Sequence, residues 1–423
     1  MHQIEGVAEY PLYQVTKTDS GVVLAEWLDG NYLEIGLFAG GGTRGSVFYS
    51  TTIVNVETWE AWQLGDTSWL GASRIAHHAD GTHLAYVIDD EVWVADRDGG
   101  NRHRLTAGTC NYQGHCYSHP VFSPDGHHLA YHFGLSTTQV IDVELGKEIY
   151  TCSVEALWES PVWSTNGRYL AFFTDIVAGD TDTGTVRAVV VDLNSGQENS
   201  SPALSTLALG YGAQFVLHWL DDNRLLIGTT CLGLWVADGD MSQIELLPGG
   251  DNLCYGGISP DKNWVVYARL HREELYSPAS YLYNIASGEA VTLSRYFNQE
   301  THWSPNSERV LLIEEGEREQ GRLVNVITGE QSEVLLPGLR DREALSWSTD
   351  SRWIAYIGDG LWLVDPSTGH RMKIAPEAGC SCCDVAPRWS PDGRSIVFMV
   401  PTRYYKNCDI GELHLVDLSN LSP

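Results

Sequence analysis

Lysine is the residue this sequence does almost without: five in 423, within a formal net charge of −29. That scarcity excludes nucleic acid as a partner, because phosphate neutralisation needs clustered Lys and Arg. The acidity itself reads as solubility, with divalent ions or a cationic partner as the alternative. No apolar run approaches the roughly eighteen residues a membrane helix requires, so membrane insertion is not expected. The first ten residues show neither a basic n-region nor an apolar h-region, and no signal peptide is expected. Helical periodicity is nowhere sustained. Two catalytic signatures are missing as well, the Gly-x-Ser-x-Gly elbow and His-Glu-x-x-His, so no peptidase domain is expected. The stretch Ala39–Ser46 is rich in glycine but lacks the lysine of a phosphate loop, and reads as a flexible connection between two strands.

What the chain has instead is repetition. Trp389-Ser-Pro-Asp-Gly393 leads into Ser395-Ile-Val-Phe-Met399. The same grammar of anchor, tight turn and apolar strand recurs at Phe122–Gly126, Trp163–Gly167, Trp303–Asn306 and Trp347–Asp350. Weaker copies stand at Trp27–Gly30, His77–Gly81, Trp219–Asp222 and Ile258–Asp261. Turn markers at Asp29, Asp80, Asp125, Asn166, Asp221, Asp261, Asn306, Asp350 and Asp392 are 40 to 55 residues apart. That is the period of a four-stranded propeller blade, about 40–50 residues. Asp-Gly, Asn-Gly and Pro-Asp-Gly turns between short β-rich runs are hairpin signals, since those residues accept the backbone angles such turns need.

The expected fold is therefore all-β: a single propeller domain of four-stranded blades, nine in number, with eight as the alternative. The units fall near 22–64, 72–106, 118–152, 159–202, 213–247, 252–294, 299–336, 342–376 and 385–420. The last unit lacks a fourth strand, and residues 1–17 contain a strand-like run with no unit of its own. Pairing the two closes the ring and removes free sheet edges.

The Trp-Ser-Pro-Asp-Gly signature, followed by Ile/Leu-Ala-Tyr/Phe, resembles the TolB-like or PD40 class of WD40-related propellers; residues 120–131, 161–173 and 387–399 match best. The resemblance implies blade architecture. It leaves activity open, since the class includes scaffolds, sensor domains, peptidase-associated propellers and a few lyases. In propellers the ligand-binding face carries the connections between units and those joining middle strands. Counting back from each turn marker to that face gives His119, Glu159, Gln214, Glu300, His302, Glu343 and Arg388 as candidate binding residues. The tryptophan anchors are expected to pack between blades.

Nine of the fifteen histidines lie between His77 and His132. A metal set drawn from His115, His119 and His132 is one reading, and solvated side chains the other, so no metal site is assigned. Asp175, Asp180 and Asp182 fall in what reads as a long loop. Their spacing suggests calcium, the one cofactor weighed; otherwise none is expected. Cys110 and Cys116 could bridge across a turn, and Cys380, Cys382 and Cys383 could bridge to a distant cysteine such as Cys408. If they do, the protein works outside the cytoplasm; if not, within it. The leading functional reading is a non-enzymatic scaffold that binds a protein or peptide through one face, a role compatible with a place in a larger assembly. The alternative is a metal-assisted lyase or hydrolase acting on a polysaccharide at the propeller mouth.

Overall fold

One buried serine pins the turn of six repeats. The hydroxyls of Ser123, Ser164, Ser259, Ser304, Ser348 and Ser390, residues at most 2% exposed, each donate to the Asp or Asn two positions on, at 2.5–2.9 Å. Each also accepts the amide five positions on, at 2.8–3.0 Å. The position after the Asp or Asn is left-handed, with φ 74° at Gly126 and 72° at Gly393. Glycine meets that angle without a Cβ penalty.

The turns join strands of a computed structural model that describes residues 2–3, 12–16, 22–41, 47–68, 75–78, 80–88, 91–106, 117–133, 137–152, 160–178, 183–207, 215–229, 233–248, 253–269, 279–294, 299–314, 319–339, 341–375, 378, 386–405 and 408–421. The fold is all-β, a nine-bladed propeller whose four-stranded antiparallel blades follow in chain order. Contacts divide the chain into two compact units. The first, Met1–Asp66 with Gly256–Val266 and Tyr281–Pro423, holds blades one, seven, eight and nine. The second, Thr67–Tyr255 with Tyr267–Ser280, holds blades two to five.

Burial follows position within the blade. Middle strands are apolar on both faces because neighbouring blades cover both: Ile354–Ile357 is buried at every residue. Outer strands are polar, as in Gln331–Leu335, where only Val334 is buried. The cores accordingly lie between consecutive blades. Leu361 and Leu363 of blade eight meet Ile396 and Phe398 of blade nine, while Ala171 and Phe173 of blade four meet Leu225 and Ile227 of blade five.

The tryptophan anchors stitch these cores. Nε1 of Trp27, Trp163, Trp219 and Trp347 donates to the carbonyl of Arg388, Val121, Val162 and His302 respectively, at 3.0–3.1 Å. The acceptor always belongs to the preceding blade. Trp347→Phe should keep most of the packing and leave the His302 carbonyl without its partner. Chemical denaturation should show a loss of about 1–2 kcal/mol; an unchanged midpoint would deny the stitch any role.

Blade nine takes its fourth strand from the chain's beginning. Leu12–Gln14 pairs antiparallel with Cys408–Asp417, setting Tyr13 opposite Leu415, and Gln14 Nε2 donates to Glu412 Oε2 at 2.6 Å. The same long strand also pairs with Val22–Trp27 through Gly411 and Val22. Blades one and nine thereby form one nine-stranded sheet.

Two connections differ from expectation. Asp175–Gly184 is no long loop: Tyr169–Ala178 and Thr183–Asp192 run on as paired strands to Val177 opposite Thr185 and Ala178 opposite Gly184. Ile176, Val177, Thr183 and Thr185 are β-branched, which favours the extended chain over the aspartates' turn preference. Asp180 and Asp182 lie outside the described residues, as does the side chain of Asp175. The glycine-rich connection also begins as strand, with Gly40 opposite Phe48 and Gly41 opposite Val47. Cys110, Cys116, Cys380, Cys382 and Cys383 lie outside the described residues. Cys254, which no spacing singled out, is disulfide-bonded, and Cys152 is free and buried.

Candidate metal site in blade two

The predicted mouth residues divide between the units. In the second unit His119 lies on the strand Tyr117–Phe122 with its side chain outside the described residues, where Glu159 and Gln214 also fall. In the first, Glu300 and His302 lie half-buried on Gln299–Trp303. His302 Nε2 donates to the Arg342 carbonyl at 2.9 Å, beside exposed Glu343, whose amide donates to Asp341 Oδ1 at 3.2 Å. Arg388 is exposed, and its carbonyl accepts the Trp27 indole N–H. Ser346 Oγ donates to the carbonyl of Pro387 at 2.6 Å. The inner-strand ends of blades seven, eight and nine are thus linked one to the next. Burial pushes the His302 imidazole down to about 4, so the ring is neutral at pH 7 and acts there as a hydrogen-bond donor through Nε2.

Among the histidines weighed for metal, His132 is buried with Nδ1 3.1 Å from Thr138 Oγ1, which gives that nitrogen an internal partner. His115 lies outside the described residues. A different cluster forms within the same histidine-rich stretch. His78, Asp80 and His83 bring one ligand atom each to within 4.8 Å of one another.

Local sequence explains the convergence. His77–Gly81 is a weak copy of the repeated turn, with His78 at the position of the pinning serine, Asp80 at that of the acid and Gly81 at φ 69°. The hairpin then sets His83 opposite His78, whose amide donates to the His83 carbonyl at 3.0 Å. The His78 ring packs edge-on to Phe122, centroids 5.4 Å apart, over Gly126, where any Cβ would overlap the imidazole. His78 Nδ1 stands 2.6 Å from Asp80 Oδ1 and 3.2 Å from the Asp80 amide nitrogen. The Thr82 hydroxyl lies 2.6 Å from both Asp80 Oδ1 and His83 Nδ1, tying the second imidazole to the carboxylate. His83 Nε2 is 3.4 Å from Asp96 Oδ1.

The Thr82 hydroxyl and amide both donate to Asp80 and hold its carboxyl down at about 2. It is therefore anionic across the working pH range. Two imidazoles and a carboxylate form a mixed nitrogen–oxygen set suited to a divalent transition ion rather than to calcium or magnesium, which prefer all-oxygen shells. The side chains of Asp80 and His83 are 51% and 46% exposed, so a bound ion would keep positions open to solvent or substrate. Position matters too. In an antiparallel blade the first turn lies at the opposite end from the connections between blades, hence opposite the end where the mouth residues were sought. The signal in the sequence is a histidine in the serine slot of an otherwise regular turn.

No family model and no curated protein matches the chain. Solved structures do. An oligogalacturonate lyase in complex with manganese is 13% identical, covering 92% of this chain and 98% of its own, with a TM-score of 0.46. An oligogalacturonate lyase from Vibrio parahaemolyticus is 11% identical over 97% of this chain and 95% of its own, TM-score 0.45. A eukaryotic initiation factor is 11% identical over 88% of this chain and 91% of its own, TM-score 0.57. At these identities the likeness is one of fold, and the fold is the β-propeller.

Proposed function

We propose that blade two binds a divalent transition ion through His78, Asp80 and His83, and that the ion assists a lyase or hydrolase reaction on a polysaccharide. The convergence of three donors on one turn carries the reading. With three protein ligands, open positions remain for water or a substrate oxygen, the arrangement that lets a metal polarise a carbonyl or generate hydroxide near neutral pH. An exposed turn, rather than an enclosed pocket, suits a long polymer. The disulfide at Cys254 supports an oxidising compartment.

Elemental analysis of purified protein should find one transition ion per chain, absent from a His78→Ala, His83→Ala double variant. Against a panel of neutral and acidic polysaccharides, followed by reducing ends and by unsaturated product, chelation should lower the rate by about a hundredfold or more. A metal-free protein would end the reading.

The second reading is a scaffold that binds a protein or peptide. It draws on the linked inner-strand ends of blades seven to nine, which present Glu343 and Arg388 to solvent. It would gain if a partner were captured equally with and without chelator and lost on Glu343→Lys with Arg388→Glu.

A further inference from the structure

Blade two keeps the backbone of the repeated turn without the serine that pins it elsewhere, and the Thr82 hydroxyl reaches Asp80 and the His83 ring but not the amide five residues after the pin position. The His78 amide donates to the His83 carbonyl at 3.0 Å and the Gly81 amide to the His78 carbonyl at 2.8 Å. Those bonds reproduce Ser123 with His128 and Gly126 with Ser123 in blade three, both at 2.8 Å. The difference lies in the side chains. In six blades a single hydroxyl gives its proton to the acid and takes the amide five residues on. An imidazole has no hydroxyl to do both. In its place His78 Nδ1 faces Asp80 Oδ1 at 2.6 Å, a contact that either a proton on the imidazole or a metal ion can bridge.

We infer that a divalent transition ion held by His78, Asp80 and His83 takes over the task of the missing serine, so that metal loading closes and orders the turn of blade two. This rests on the metal site proposed above and adds a structural role to it. The three ligands sit at the pin position, at the acid two residues on, and at the residue five on: the same three points the serine knot joins in the other blades. An ion bridging them ties the two arms of the hairpin across its turn. Blade two therefore depends on the metal where its six counterparts depend on a hydroxyl. Its outer strand, His103–Arg104, is two residues long and exposed, so the turn has little help from that edge.

Hydrogen exchange on the full-length protein tests this, with zinc as the probe. A peptide covering residues 78–88 should exchange faster in the metal-free protein than its counterpart at residues 123–133. Zinc should slow it by about tenfold or more and leave residues 123–133 unchanged. His78→Ser should restore the knot: slow exchange without metal and no response to zinc. His83→Gln should remove the zinc response while keeping His78 in place, and it serves if His78→Ser does not fold. Zinc bound at one per chain with no slowing at 78–88 would overturn this inference and leave the metal site standing. Failure to bind zinc or any other divalent transition ion would remove both.

Discussion

Taking the protein from pH 7 to pH 4 should cost about 3 kcal/mol through His302 alone. The ring's ordinary value is 6.5, and burial pushes it down to about 4 in the folded chain. In the unfolded chain it protonates as pH falls through 6.5. Folded, it stays neutral until about 4. The unfolded state therefore binds more protons throughout that window, and stability declines as pH falls across it. Above 6.5 the contribution is complete, and below about 4 the loss is complete. The bond from Nε2 to the Arg342 carbonyl works the other way, favouring the protonated ring, but burial is the larger effect. Carboxylates held low by hydrogen bonds, Asp261 and Asp192 among them, lose their contribution at still lower pH. The comparison that isolates the ring is His302→Gln, whose amide can still donate to Arg342. Denaturation midpoints of the two proteins should converge as pH falls from 7 to 4. Parallel curves would mean the ring is hydrated and titrates normally.

Much of the architecture was written in the turns. Each Asp or Asn marker has a physical job, accepting a serine hydroxyl or a nearby amide, so nine markers meant nine turns and nine blades. The closing strand was legible for a related reason: a blade missing one strand and a terminus with a strand to spare suit each other. Local chemistry of this kind survives in a single sequence because donor and acceptor lie within five residues. Contacts across blades are less visible. The tryptophans could be assigned to packing, but their N–H bonds to the preceding blade depend on tertiary register. The calcium reading failed to anticipate that β-branched neighbours would extend the strands through Asp175. His115, His119 and His132 were the histidines weighed for metal, and nothing local in the sequence brings them together. The cluster that forms is local, His78 to His83, and its clue was a departure from the repeat rather than a match to it. Such departures are informative because a repeat specifies what each position should do. A residue unable to do it either weakens its blade or does something else.

Replacing Gly411 with alanine should destabilise the protein by about 2–3 kcal/mol, because it overpacks a junction that cannot yield. Gly411 is buried and lies where Cys408–Asp417 meets two strands at once, opposite Pro401 on one side and Val22 on the other. A Cβ there would overlap the Val400 carbonyl oxygen, and would lie 2.7 Å from the Val400 carbonyl carbon and 2.9 Å from Pro401 Cα. All three are backbone atoms, so no rotamer change relieves the clash. The strand has to move, and with it the pairing that joins blade nine to blade one. Glycine within a strand often marks such a close approach. Gly30→Ala is the control, since the nearest atom to its added Cβ is Asp392 Cβ at 4.0 Å; its cost should stay within about 0.5 kcal/mol. The site of damage is also predictable. The Val15 amide donates to the Leu413 carbonyl at 2.8 Å, and the Leu413 amide to Thr16 Oγ1 at 3.0 Å, so both amides should exchange faster in the Gly411 variant. If the two alanine variants prove equally stable, the strand has room to shift, and the joined sheet of blades one and nine does not depend on the close approach at Gly411.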